Sequence, residues 1–223
     1  MRPFFSSILL TALFALAIIP TTAMATTKGL NQIVTPDIQP EGQLSVSFQQ
    51  TDPNLTNRYE TQFEYGFTKR FEMALFQGFS PDEQILNAEY GFVQSKNFLL
   101  STGFANWSSK GVAPQPYLEA GYIQGNSYAM LGVINAVETN TDASGSTSSE
   151  HQAQSILGYA YRVHPRLLLQ VDYQSGSTNF STAGFTYNIT PNVTFNPALY
   201  VSNDTPHKGY GYAVITWSIT VGK

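Results

Sequence analysis

The side chains with the most to offer chemically are carboxylates set on alternate positions of strand-like runs. Glu60 and Glu64 share one parity within Tyr59–Phe67, Glu72 follows Phe71, and Glu89, Glu119 and Asp172 each sit between apolar neighbours. Successive strand residues point to opposite faces, so these carboxylates gather on the face away from the bulky apolar set. Arg58, Arg162 and Arg166 fall on that same face. Six acids against three bases make an acidic wall, which concentrates cations by focusing the field. The same charges also suit internal ion pairs that brace a closed interior.

Other chemistries find less support. A lipid hydrolase at a barrel rim needs a Ser–His pair with an orienting Asn, Asp or Glu. His151 and His207 lie at strand ends with Ser149, Ser155, Ser202 and Asn203 nearby, but no nucleophile elbow surrounds any of these serines. His164 sits in a turn beside Pro165. Three scattered histidines and no cysteine suggest no zinc site, and Asp82, Glu83, Asp142 and Glu150 are too sparse for calcium. No glycine-rich phosphate loop is present, and a net charge of −4 argues against nucleic acid as a partner. The expectation is a non-enzymatic chain without a cofactor.

The elements that position the acidic wall are about twelve strands with period-two alternation. The clearest is Arg166–Gln174, where Leu167, Leu169, Val171 and Tyr173 alternate with Gln170, Asp172 and Gln174. Phe98–Trp107 and Ser127–Val137 are apolar in both registers, so their faces stay open. Short turns at Thr68–Arg70, Gln94–Asn97, Gly125–Asn126, His164–Arg166 and Thr190–Asn192 separate alternate pairs of strands. The other connections, such as Thr51–Asn57, Ser80–Glu83, Ser108–Gln115 and Asn140–Glu150, are mostly longer and polar. Short periplasmic turns against longer external loops are the rule of transmembrane barrels. Pro197 falls inside a strand, where a bulge is expected because proline cannot donate to the ladder.

Composition agrees. Charged residues are 12% and aromatics 13%, against the roughly 25% charge of soluble domains. A secreted β-sandwich shares these bulk values but gives no reason for the parity of loop lengths. Residues 1–25 read as a signal peptide: Arg2, an apolar run from Ile8 to Ile19, then Ala23-Met24-Ala25. Residues 26–41 carry Pro36 and Pro40, which keep them out of the ladder, as a periplasmic tail or a plug. Residues 42–223 form the barrel. Aromatics beside the short turns, Tyr65, Phe67, Phe71, Tyr90, Tyr122, Tyr128, Tyr161 and Tyr187 among them, suggest an interfacial girdle. Inward small residues such as Gly66, Ala74, Gly91, Gly121 and Gly158 leave space near the wall.

Tyr65-Gly66-Phe67-Thr68-Lys69-Arg70-Phe71-Glu72 resembles the turn repeats of small bacterial outer-membrane meander barrels of the porin and transporter group. That group includes barrels linked to aromatic-compound degradation. Gly29-Leu30 to Thr35-Pro36, and Glu41-Gly42-Gln43-Leu44, are also similar to the start of such barrels. The resemblance implies an all-β, transmembrane, antiparallel up-and-down barrel in the cell outer membrane, set in the lipid bilayer among lipopolysaccharide. It also implies assembly by the outer-membrane insertion machinery, whose polar-Gly-x-x-hydrophobic signal Lys208–Val214 fits. The terminal aromatic usual in the group is replaced by Val221-Gly222-Lys223. The expected function is a passive channel for small polar or cationic solutes. The alternatives are a closed structural or surface-binding barrel whose external loops bind a partner, and a rim lipid hydrolase.

Overall fold

The computed structural model describes residues 28–52, 55, 57–141, 147–204 and 206–221. The expected signal peptide therefore lies outside the described residues. Twelve strands follow one another: β1 (Gln43–Thr51), β2 (Tyr59–Thr68), β3 (Phe71–Phe79), β4 (Asp82–Gln94), β5 (Phe98–Ser108), β6 (Gln115–Gln124), β7 (Ser127–Thr141), β8 (Thr147–His164), β9 (Leu167–Gln174), β10 (Phe180–Thr190), β11 (Val193–Ser202) and β12 (Gly209–Thr220). Each pairs antiparallel with its neighbours in sequence, and β1 pairs with β12, closing an up-and-down barrel. Closure removes both sheet edges, so the ladder leaves no open row of backbone donors and acceptors.

The wall is inside-out relative to a soluble fold. On β9, Gln170 and Asp172 are buried while Leu169 and Val171 are exposed on the outer face. Leu131 on β7 is 62% exposed. At the β1–β12 seam the inner face is a hydroxyl ladder, Ser45 with Ser218 at 2.9 Å and Ser47 with Thr216 at 2.8 Å. A sandwich would bury its large aliphatic residues, whereas here they form the exterior. Such a surface suits hydrocarbon on the outside and polar chemistry within.

The two strands with open faces are resolved by packing. β7 turns Met130, Ile134 and Ala136 inward and Leu131 and Val133 outward. β5 turns Leu99, Ser101 and Ala105 inward. Near its end Asn106 adopts φ 60°, at a register shift between Leu86 and Ala88 of β4. Asparagine tolerates this left-handed conformation better than most residues. The added residue lets Phe104 and Trp107 share the outer face, edge to face at 6.0 Å.

Three expectations are corrected. The Asn140–Glu150 connection is mostly ladder, since β7 and β8 stay paired out to Thr141 and Thr147. Its Ser/Thr composition reads as loop, but Thr is β-branched and sits well in a strand. Only residues 142–146 of it lie outside the described residues. Tyr128 faces inward, packed against the lumen cluster of Ile134 and Met130, and is not part of the girdle. Pro197 makes no bulge: Gly184 pairs with Ala198 and Tyr187 with Phe195, so the register is the same on both sides. Asn196 supplies the missing donor, its Nδ2 lying 2.8 Å from the Phe185 carbonyl. Asn196→Ala is therefore expected to lower barrel stability by about 1–3 kcal/mol, because a buried carbonyl loses its partner. Heat-modifiable gel migration checks this; an unchanged melting temperature contradicts the assignment.

Candidate functional site in the lumen

The N-terminal segment crosses the barrel interior. Pro36 and Pro40 lack backbone donors, so residues 28–41 fold on themselves. The Leu30 amide donates to the Ile33 carbonyl at 3.0 Å, and Gly29, at φ 91°, donates to Thr35 Oγ1 at 3.1 Å. The chain joins the wall where the Gly42 amide meets the Gly66 carbonyl at 2.8 Å.

Three sets of contacts hold this segment. Lys28 Nζ donates to Glu72 Oε1 and to Glu89 Oε2, the latter at 2.5 Å. Asn31 is enclosed by β9, β10 and β11. Its amide donates to Asp172 Oδ2 at 2.6 Å, its Nδ2 to Thr182 Oγ1 at 2.9 Å, and its Oδ1 accepts from Gln170 Nε2 at 2.9 Å. The Tyr200 hydroxyl donates to the Asn31 carbonyl. Nearer the wall junction, Gln94 Nε2 donates to the Pro36 carbonyl at 2.7 Å, and the Gln39 amide donates to Glu72. Apolar packing adds to these contacts: Leu30 and Ile33 lie on Tyr117, Met130, Ile134 and Ile156.

The small inward residues make the groove this segment fills. A Cβ on Gly66 would stand 2.3 Å from the Pro40 carbonyl oxygen, and one on Gly158 the same distance from Leu30 Cδ1. Gln170, which by alternation alone is an ordinary lumen residue, is committed to Asn31 and is 3% exposed.

A cavity of about 460 Å³ remains beside the segment, bounded by Lys28, Leu30 and Asn31 and reaching Leu55, Asn57 and Asn179 at the loop end. Glu60, Glu64, Glu72, Glu89 and Glu119 all line it. Asp172 is buried where it receives the Asn31 and Gln32 amides. The arginines are elsewhere. Arg58 is exposed just before β2, its guanidinium 5.1 Å from the Tyr59 ring centre. Arg162, half-buried at the short-turn end, donates to the Pro165 carbonyl at 3.4 Å. Arg166 is exposed in the adjoining turn. The basic residue lining the cavity is Lys28, which no strand pattern could place there because it precedes every strand.

The histidines make local contacts. His164 Nδ1 accepts from the Arg166 amide at 3.2 Å, and His207 Nδ1 lies 2.9 Å from the Ser202 carbonyl. His151 is exposed on β8, opposite Val137. Both of these ring contacts, at His164 and at His207, are to backbone groups and not to a serine hydroxyl.

No family model and no curated protein matches the chain. Solved structures do. The NanC porin superposes with a TM-score of 0.57 at 10% identity, over 78% of this chain and 98% of NanC. The KdgM porin superposes with a TM-score of 0.55 at 11% identity, over 79% of this chain and 99% of KdgM, and has also been solved in complex with disordered oligogalacturonate. With its closed twelve-strand ladder and apolar exterior, the chain has the fold of the small outer-membrane porin barrels.

Proposed function

We propose that the protein is an outer-membrane channel for small polar or cationic solutes, closed at rest by residues 28–41. The observation that carries this reading is an acid-lined cavity whose obstruction is held by side-chain contacts and packing, meeting the barrel ladder at the single Glu41–Gly66 bridge. Such an element can leave without breaking the wall. The porin fold supports a channel role, and the carboxylates supply the sign of selectivity. The oligogalacturonate bound by KdgM is a polyanion, and the wall here has the wrong charge for such a ligand.

Reversal potentials in a planar bilayer under a KCl gradient test the reading. Cation selectivity is expected, weakened by Glu60→Gln with Glu64→Gln. Anion selectivity contradicts it. A folded barrel that carries no current favours the second reading, a closed barrel that binds a partner through its loop end, to which the extended β7–β8 hairpin lends itself.

A further inference from the structure

Glu72 and Glu89 are direct cross-strand partners on β3 and β4, and both are buried on the inner face. Like charges set opposite each other destabilise a sheet, and buried carboxylates need a partner. Lys28 meets that need with an ammonium bridging the two, its side chain 6% exposed. Glu64 is near enough to act on the same charge.

One ammonium has three donors and faces more carboxylate than it can satisfy. Glu119, 2% exposed, keeps a buried Oε2 with no hydrogen-bond partner, and it lines the same cavity. It lies on β6, two strands across from Glu89 and two residues along, or about 12 Å over the wall at ordinary strand geometry. Ala74, Ala105, Tyr117 and Ile134 give the cavity an apolar lining near these acids. Among the described residues, no three acidic or imidazole groups are gathered closely enough to hold a metal ion. The arrangement suits a cation that reaches its acceptors through N–H groups and carries an aliphatic body.

We propose that this wall binds small aliphatic diamines, and that Lys28 occupies the first ammonium position as a tethered stand-in. One ammonium takes the place of Lys28 between Glu72 and Glu89, beside Glu64. The second is received by Glu119, with the methylenes against the apolar lining. The site deepens the channel reading and rests on it for the solute's route through the lumen. Because diamine and N-terminal segment compete for one position, solute binding favours the open state.

Calorimetric titration of the full chain in detergent micelles with 1,4-diaminobutane tests the proposal, with 1,4-butanediol and tetramethylammonium as controls. Lys28→Gln is expected to bind the diamine at least about tenfold more tightly than the natural chain. Adding Glu119→Gln removes most of that gain. The diol does not bind, and tetramethylammonium, without N–H donors, gains little. Equal diamine affinity with and without Lys28, or an equal gain for tetramethylammonium, overturns the site. If Lys28→Gln fails to fold, Glu119→Gln in the natural chain serves instead: reduced diamine affinity is expected, and unchanged affinity overturns the site. Bilayer recordings on the same preparations separate the two ideas. Conductance without diamine binding overturns the amine site and leaves the channel; binding without conductance overturns the channel and leaves the site.

Discussion

Lys28→Ala is expected to free the N-terminal segment from the lumen. Removing the ammonium leaves Glu72 and Glu89 opposed and buried, and breaking one side of such a pair costs about 3–5 kcal/mol. The segment can escape that cost by withdrawing, since water then reaches both carboxylates. The chain contains no cysteine, so Ile33→Cys, at a position 4% exposed, carries a single thiol that reports the withdrawal. Maleimide labelling of that thiol is expected to be about 100-fold faster with Lys28→Ala, less than the full cost because the Asn31 contacts persist. Lys28→Arg should restore most of the protection. Equal labelling rates in all backgrounds would mean that Asn31 and the Leu30–Ile33 packing hold the segment without Lys28.

Leu131→Arg is expected to abolish stable assembly. Leu131 is flanked on the outer face by Ala120 and Leu157. It stands four residues above the turn at Ser127, which at the tilt of barrel strands is about 10 Å, near the middle of a 25 Å apolar band. An arginine there costs about 2–4 kcal/mol. Gln62→Arg, which turns the same group into the cavity beside Glu60, should assemble normally. Folded, heat-modifiable protein in the membrane fraction is the readout. Equal yields of the two variants would mean that the inside and outside faces are misassigned.

The barrel was legible because each hairpin carries its own signal. On β2, β3, β6 and β9 most bulky residues face lipid and the polar or small ones face the lumen, with Phe76, Tyr117 and Leu168 as inward exceptions, so a period of two fixes both the strand and its face. β7 hid its orientation because its inner residues, Met130, Ile134 and Ala136, are apolar too. They are apolar because Leu30 and Ile33 pack on them, a contact set by tertiary structure and invisible to local alternation. The end of the β7–β8 hairpin, Asn140–Glu150, reads as loop because Ser and Thr are common to both settings.

The acidic wall was legible and its cation was not. Parity alone brings Glu60, Glu64, Glu72, Glu89 and Glu119 to one cavity. Parity also assigned Arg58 and Arg166 to the lumen, yet both lie at strand ends, where neighbouring rings or turns decide where a side chain goes. A signal for Lys28 existed in hindsight: Glu72 and Glu89 are opposed across a hairpin and require a positive partner that no strand supplies. That partner is Lys28, the one base of residues 26–41, in the segment whose prolines exclude it from the sheet.

The most direct test of an acid-lined channel closed by its own N-terminal segment is single-channel recording of the natural chain beside Lys28→Ala. Rare, brief openings in the natural chain and long, cation-selective openings in the variant are the predicted result. A variant that stays silent while Ile33→Cys labelling shows the segment withdrawn would contradict the account, since the barrel would then be shut by something other than residues 28–41.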